Sequence, residues 1–429
     1  MLNIIMTKNK KIKIILLMLL ILAVIYLVFI KKSNEVNVTD FLNSDFNDQI
    51  GIQEAIDYAE GHKIEIVYFP KGKYIVNSPI LIGSNLTIKL DEEAIIYRNF
   101  SGNGSENATF RNKNMHSNGN ANITIQGGTI RAVNKEANGK HLAFWGVNRL
   151  KIENLKIRNT YGDWSTIFRD TNNVDITNID IDTKTDQIYT DGIHFVGGAN
   201  ISISKCKVIS GDDAIAFTIE NKEDTNIKNV NVTDCELTSR RASVIKMMTT
   251  ATSTGTIEDI SIQNIKGTGG TVGSGQAVFL EDRSNSKRIR NIKLDTVKIN
   301  ASKGSGYGGQ ISSLFNLRIS NSVVSNSDGT GLVIQNSNKI AISSVNISNP
   351  RSEQANGISI DNTTDVKLSD IVIMNPQKSG VLINNNLNKV ENIEIKNLQV
   401  NGNKKANITI QNKSNVEIHQ DISNFNFSK

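Results

Sequence analysis

Asp191, Asp212 and Asp213 are the residues of this chain whose type and spacing could do chemistry. They lie in YTDGIHFVGGANISISKCKVISGDDAIA, residues 189–216, a run that otherwise reads as short β-strands. Asp191 and Asp212 are 21 residues apart, close to the interval at which the whole sequence repeats. If one repeat is one turn of a β-solenoid, these carboxylates fall on neighbouring turns, about 4.8 Å apart along the stack. Acids held that close cannot ionise independently, because like charges raise one another's pKa. A general acid and a general base can then be made from one residue type.

The elements that must position them are repeats. A pattern of polar, apolar, any, apolar begins at Asn85, Asn122, Asn148, Asn173, Asn200, Asn229, Asp259, Asn291 and Asn316. It continues at Lys339, Asp365, Asn392 and Asn415. From Asn122 onward the spacings run from 23 to 32 residues, which marks a repeat architecture. Each unit has period-two strands and no helical stretch, so leucine-rich, ankyrin and tetratricopeptide arrays do not fit. A propeller needs longer repeats of about 40 residues. Three short strands per turn with Asn and Gly at the corners describe an all-β chain, a parallel β-helix. Asn suits such corners because it tolerates left-handed backbone.

Ahead of the repeats, Asn47–Gly61 has helical spacing and leads into IEIVYFPKGKYIV, two strands around a Pro-Lys-Gly turn. A short N-terminal capping helix would cover the open end of the stack. Cys206 and Cys235 hold the same place in consecutive repeats and are expected inside as free thiols rather than a disulfide.

Ile14–Ile30 is an uncharged run of 17 residues with basic flanks, Lys8, Lys10, Lys11 and Lys13 before it and Lys31 and Lys32 after it. It ends without a small-residue cleavage site, which favours an uncleaved signal anchor over a cleaved peptide. The lysine bias puts residues 1–13 in the cytoplasm as a tail and the body outside the cell. Residues 31–45 read as a linker and 46–429 as the β-helix catalytic domain. Six lysines account for much of the formal charge of +6, so the body is near neutral and nucleic-acid binding gets no support.

Tyr189-Thr190-Asp191-Gly192 and Gly211-Asp212-Asp213 resemble the Asn-Thr-Asp and Gly-Asp-Asp signatures of the polygalacturonase-type glycoside hydrolases, family 28. Residues 46–76 resemble that family's N-terminal cap, and Gly162-Asp163-Trp164 sits where the family often carries a Trp. The resemblance covers most of residues 46 to about 300. It implies the pectin-lyase-like right-handed parallel β-helix and inversion at the anomeric carbon. Asp212 would protonate the leaving oxygen, and Asp191 and Asp213 would hold and deprotonate the attacking water. Inversion calls for carboxyls roughly 6.5–9.5 Å apart. Asp212 and Asp213 are adjacent, so a bulge at Gly211 is expected to bring both outward.

Three departures stand out. The family's Gly-His-Gly should fall in Ser239–Lys246, where the chain reads SRRASVIK, with Arg241 the nearest substitute. Its Arg-x-Lys, which grips a substrate carboxylate, should fall in GQAVFL at 275–280 and is absent. His194 stands where the family usually has a further carboxylate. Substrate contacts are therefore assigned to His194, Arg240, Arg241, Lys246 and Arg283, and the substrate to a glycan other than plain polygalacturonate. Tyr307 is a weaker candidate for stacking on a sugar.

The expectation is a membrane-anchored monomer with an extracellular body, hydrolysing a polysaccharide without a metal or cofactor. A polysaccharide lyase on the same fold, with the aspartates on Ca²⁺ and Arg240 or Arg241 as base, is the first alternative. A non-catalytic glycan-binding surface β-helix is the second.

Overall fold

The computed structural model describes residues 17–20, 34–42, 48–115, 119–185, 187–269, 275–301, 304, 306–384, 390–411, 418–421 and 427–428. Every strand pair is parallel, and the strands fall into two long sheets, one of 14 strands and one of 22. Each turn of the chain gives one strand to the smaller sheet and one or two to the larger, in about 13 turns. The coil around the first aspartate shows the plan: Thr166–Arg169 in the small sheet, then Asn172–Thr177 and Asp180–Asp182 in the large one. The expected three short strands per turn hold up to Ser210. From Ile227 onward the two large-sheet strands often run on as one, as in Ile227–Ser239. There a single left-handed residue, Asp234 at φ 56°, turns the corner while pairing continues on both sides of it.

The repeat maps onto the corners. Asn85, Asn122, Asn173, Asn200, Asn229, Asp259, Asn291, Asn316, Lys339, Asp365 and Asn392 all have positive φ. One repeat is offset: Arg149, not Asn148, is left-handed. Asn and Asp reach this conformation at the least cost among residues with a Cβ. Stacking then lets each amide bond to the next: Asn200 Nδ2 donates to Asn173 Oδ1 at 2.9 Å, and Asn229 Nδ2 to Asn200 Oδ1 at 3.1 Å. The side-chain ladder thus repeats the backbone ladder.

Inside, the register stacks like on like. Phe144, Phe168, Phe195 and Phe217 occupy one position in four successive small-sheet strands. Their ring centroids are 6.4, 4.8 and 5.8 Å apart, within the range of favourable aromatic pairs. Cys206 and Cys235 are buried free thiols, and the Cys206 N–H approaches Cys235 Sγ at 3.4 Å.

The capping helix is Gln49–His62, with Ile52, Ala55, Ile56 and Ala59 fully buried along one stripe. Lys63 closes it in left-handed conformation. Its polar side chains also finish the open edge of the small sheet. Gln53 Oε1 accepts from Leu81 N–H at 2.8 Å, and Glu60 Oε1 accepts from Gly83 N–H at 2.7 Å. An edge strand whose amides are occupied cannot recruit another chain. Of the expected membrane span, Ile14–Ile30, all but residues 17–20 lies outside the described residues. Among the described residues no helix is long and apolar enough to cross a membrane.

Candidate active site

The register that stacks the core also stacks the acids, though one residue away from the spacing read in the sequence. Ile193 pairs with Ile215 and Ile215 with Ile245, so Asp191, Asp213 and Ser243 occupy equivalent places in three successive coils. Asp213, not Asp212, therefore stacks on Asp191. The Asp213 N–H donates to Asp191 Oδ1 at 3.1 Å, and the Ser243 N–H to Asp213 Oδ1 at 2.9 Å.

Residues 211–214 form a turn between Lys207–Ser210 and Ile215–Ile219, not a bulge in a strand. Off a regular strand, the two adjacent acids are free to diverge. Gly211 is required by close approach: a Cβ there would lie 2.1 Å from Thr190 Oγ1 and 2.7 Å from the Gln187 carbonyl. The hydroxyls of Ser210 and Ser239 donate to the Asp212 carbonyl at 2.8 and 2.7 Å and fix the turn from below. Asp212 Oδ2 accepts from the Tyr189 N–H at 2.7 Å, and Tyr189 is left-handed at φ 64°. That anchor was not visible in the sequence.

One oxygen from each of the three carboxyls lies within 4.8 Å of the other two. Their exposures differ. Asp212 is half-buried, whereas Asp191 and Asp213 are each 2% exposed. Asp212 and Asp213 line a groove of about 250 Å³ with Ile188, Arg241, Ala242, Ser243, Lys246, Gly275, Gln276, Phe279 and Arg283. Asp191 is not among the residues that line it and stands one coil along the stack from Asp213. Of the three acids expected on one open face, two line the groove and the third adjoins them in the preceding coil. A larger concavity of about 420 Å³ lies elsewhere, along Asn85, Asn122 and Asn173, and holds none of these residues.

One cation meets the acid cluster directly. His194, Ala216 and Lys246 share one position in three coils. The small Ala216 leaves space between the two larger side chains. Lys246 Nζ sits 2.7 Å from Asp213 Oδ2. Burial opposes the Lys246 charge, but Asp213, Asp191 and the hydrogen bond to Asp213 outweigh it and hold the ammonium above its ordinary pKa. Burial, then the charge of Asp213, raises the Asp191 carboxyl well above the carboxylate range. Burial, with the charges of Asp191 and Asp213, pushes Asp212 up to about 7. Three oxygens this close suit a cation by number and type, yet an ammonium 2.7 Å from Asp213 already answers the charge there.

The expected substrate residues divide. Arg241, Lys246 and Arg283 line the groove, and Arg283 also pairs with Glu281 at 2.7 Å. Arg240 turns away from it, to Asp182 at 3.0 Å and to Thr183 and the Thr185 carbonyl. His194 is not in the cleft either. It is 2% exposed, with Nδ1 2.7 Å from Asp191 Oδ2 and Nε2 2.8 Å from Thr218 Oγ1. Trp164 packs its ring 4.0 Å from the imidazole, and Lys140 Nζ lies 5.2 Å from the Trp164 ring on the way to its ion pair with Asp163. Tyr307 is outside the set that lines the groove.

Residues 71–239 match the family model for Glycosyl hydrolases family 28. Solved structures of similar fold include PfbA, a surface adhesin of Streptococcus pneumoniae, at 14% identity over 89% of this chain and 93% of that one, with TM-score 0.58. The A-module of the Azotobacter vinelandii mannuronan C-5 epimerase AlgE4 is similar at 12% identity over 89% and 99%, TM-score 0.58. The Yersinia enterocolitica family 28 exopolygalacturonase is similar at 14% identity over 89% and 78%, TM-score 0.53. At these identities the likeness is one of fold. Across the segment that carries the three aspartates, the chain is similar to glycosyl hydrolases family 28, and its frame is a parallel β-helix.

Proposed function

We propose that this protein hydrolyses glycosidic bonds in a polysaccharide, with Asp212 as the general acid and Asp213, backed by Asp191, holding the attacking water. The observation that carries the reading is the contrast between two adjacent acids. Asp212 faces the groove with its pKa pushed to about 7, the range a general acid needs near neutrality. Asp213 is tied to Lys246 and to the Ser243 amide. At 2% exposure Asp213 cannot reach a sugar carbon to form a bond, but it can hold a water that does. This favours direct displacement by water, and hence inversion, over a covalent intermediate. The carboxyl oxygens lie within 4.8 Å of one another, nearer than the expected 6.5–9.5 Å, so the case for inversion rests on the burial of Asp213 and not on the carboxyl separation.

Arg241 and Arg283 at the groove suit an acidic sugar, because guanidinium forks pair with carboxylates. We further infer that the basic flanks of Ile14–Ile30 anchor the chain with its body outside the cell. The test is Asp212→Asn against a panel of acidic and neutral polysaccharides. Turnover by the parent chain and its loss in the variant are expected, with the first product carrying the inverted anomer by NMR. Equal turnover by the two proteins, or a retained anomer, would overturn the assignment. A lyase would instead give an unsaturated, ultraviolet-absorbing product and lose activity with chelator. The missing histidine in Ser239–Lys246 keeps a second reading in play, a glycan-binding surface protein, which predicts binding without turnover.

A further inference from the structure

His194 is a buried titratable group that the hydrolytic scheme does not use, and its partners form a string. Asp191 Oδ2 meets Nδ1 at 2.7 Å, Nε2 meets Thr218 Oγ1 at 2.8 Å, and the Thr218 hydroxyl donates to Glu220 Oε1 at 3.1 Å. The Glu220 side chain is 30% exposed, so the string runs from the acid cluster to the surface. We propose that His194 is a positioning residue acting through Asp191, and that Glu220, through Thr218, sets which side of the Asp191–His194 contact carries the proton. The proposal rests on the hydrolase reading only for its catalytic consequence.

The argument is a count of protons. Thr218 has one hydroxyl proton, and an ionised Glu220 can only accept. With that proton given to Glu220, Thr218 must accept from Nε2–H. A neutral imidazole then has a bare Nδ1, and the bond to Asp191 needs a proton on Asp191 Oδ2. With the ring neutral, this arrangement alone satisfies all three contacts; an imidazolium against an Asp191 carboxylate would satisfy them too, but burial of both groups opposes that separation of charge. The reverse, Nδ1–H to an Asp191 carboxylate with Thr218 donating to Nε2, leaves Thr218 and Glu220 facing each other with lone pairs only. Two oxygens 3.1 Å apart with no proton between them repel, which disfavours the reverse arrangement.

The surroundings agree. The charged groups around the ring are Asp191, Asp213 and Glu220, which are acidic, and Lys246 and Lys140, which are basic, with Trp164 packed against it. Burial keeps the imidazole neutral, its pKa lowered to about 4, while burial raises that of Asp191. With Asp191 held as the neutral acid, burial and the charge of Asp213 are what raise Asp212, and ionising Asp191 adds to them.

The test is ¹⁵N NMR of histidine-labelled full-length protein, which distinguishes the two imidazole tautomers. The parent chain is expected to show His194 as Nε2–H. In Glu220→Gln the side-chain amide can donate to Thr218, whose hydroxyl then turns to Nε2. In Thr218→Val the acceptor for Nε2–H is gone. Both variants are expected to move the proton to Nδ1, and in Glu220→Gln the limb of the kcat/KM profile that belongs to Asp212 should rise by about half a pH unit, with KM unchanged. The same tautomer in all three proteins, or an imidazolium at neutral pH, would overturn the proposal. A tautomer switch in a protein that turns over no glycan would leave the string standing and remove the hydrolase reading instead.

Discussion

Lys246 stands two coils along the stack from His194, with Ala216 between them, and its ammonium lies 2.7 Å from Asp213 Oδ2. Where the family resemblance led to the expectation of a histidine in Ser239–Lys246, the chain places a permanent cation directly against the buried acid.

Lys246→Met keeps much of the stem and removes the charge. It should lower kcat at least about 100-fold and cost about 2 kcal/mol of stability, less than a fully buried pair because the Lys246 side chain is a quarter exposed. The lysine's folded pKa is raised, so this stability is present below the ordinary lysine value of 10.5 and is lost as pH climbs through the folded one. Urea melts at pH 7 and at strongly alkaline pH should show the gap between parent and variant closing.

Asp212 must carry its proton to act, and its pKa is pushed to about 7. Activity should therefore fall as pH rises through 7. Stability follows the same sign: a carboxyl raised from 3.8 favours folding at low pH and loses that contribution between about 4 and 7. Asp212→Asn, which has no charge to bury, should melt higher than the parent at pH 8 although its turnover is reduced at least about 100-fold. Paired melts at pH 5 and pH 8 check both signs.

Arg241 and Arg283 are the guanidinium groups that line the groove. Replacing both with Ala should raise KM for an acidic polysaccharide about tenfold and leave KM for a neutral one within about twofold. Equal losses on both would assign the pair to folding rather than to recognition.

Phe195 is fully buried and sits in the stack between Phe168 and Phe217. Phe195→Ala should cost about 3–5 kcal/mol. Because His194 and the acid turn belong to the same coil, the variant should also lose activity at temperatures below its melt. Activity and circular dichroism measured over one temperature ramp would separate the two losses.

Much of this was legible in the sequence because a left-handed corner selects Asn or Asp at the same place in every coil. Asn122, Asn173, Asn200 and Asn229 mark the turn length, and the helical spacing of Asn47–Gly61 corresponds to the helix Gln49–His62. The site was legible only as a set of residue types. Counting to Asp212 gave 21 residues, but the coil register pairs Asp191 with Asp213, since corner residues add to the count without advancing the strand. A turn at Gly211 then separates two neighbours that a strand would have opposed. The partners of His194 were hidden for a different reason. Thr218 and Glu220 carry no motif and gain meaning only when the next coil lies against His194. Arg240 and Arg241 are adjacent and alike in sequence, and only the turn decides which faces the groove.

The Asn ladder has a further consequence. Each rung repeats the geometry of the one before it, so the column has no preferred length. A unit could be duplicated or lost beyond Asn316 without moving any of the side chains around Asp191, much as a zip can be lengthened away from its slider. Reach along a polymer and chemistry at one point on it are therefore separable traits in this chain, open to change one at a time.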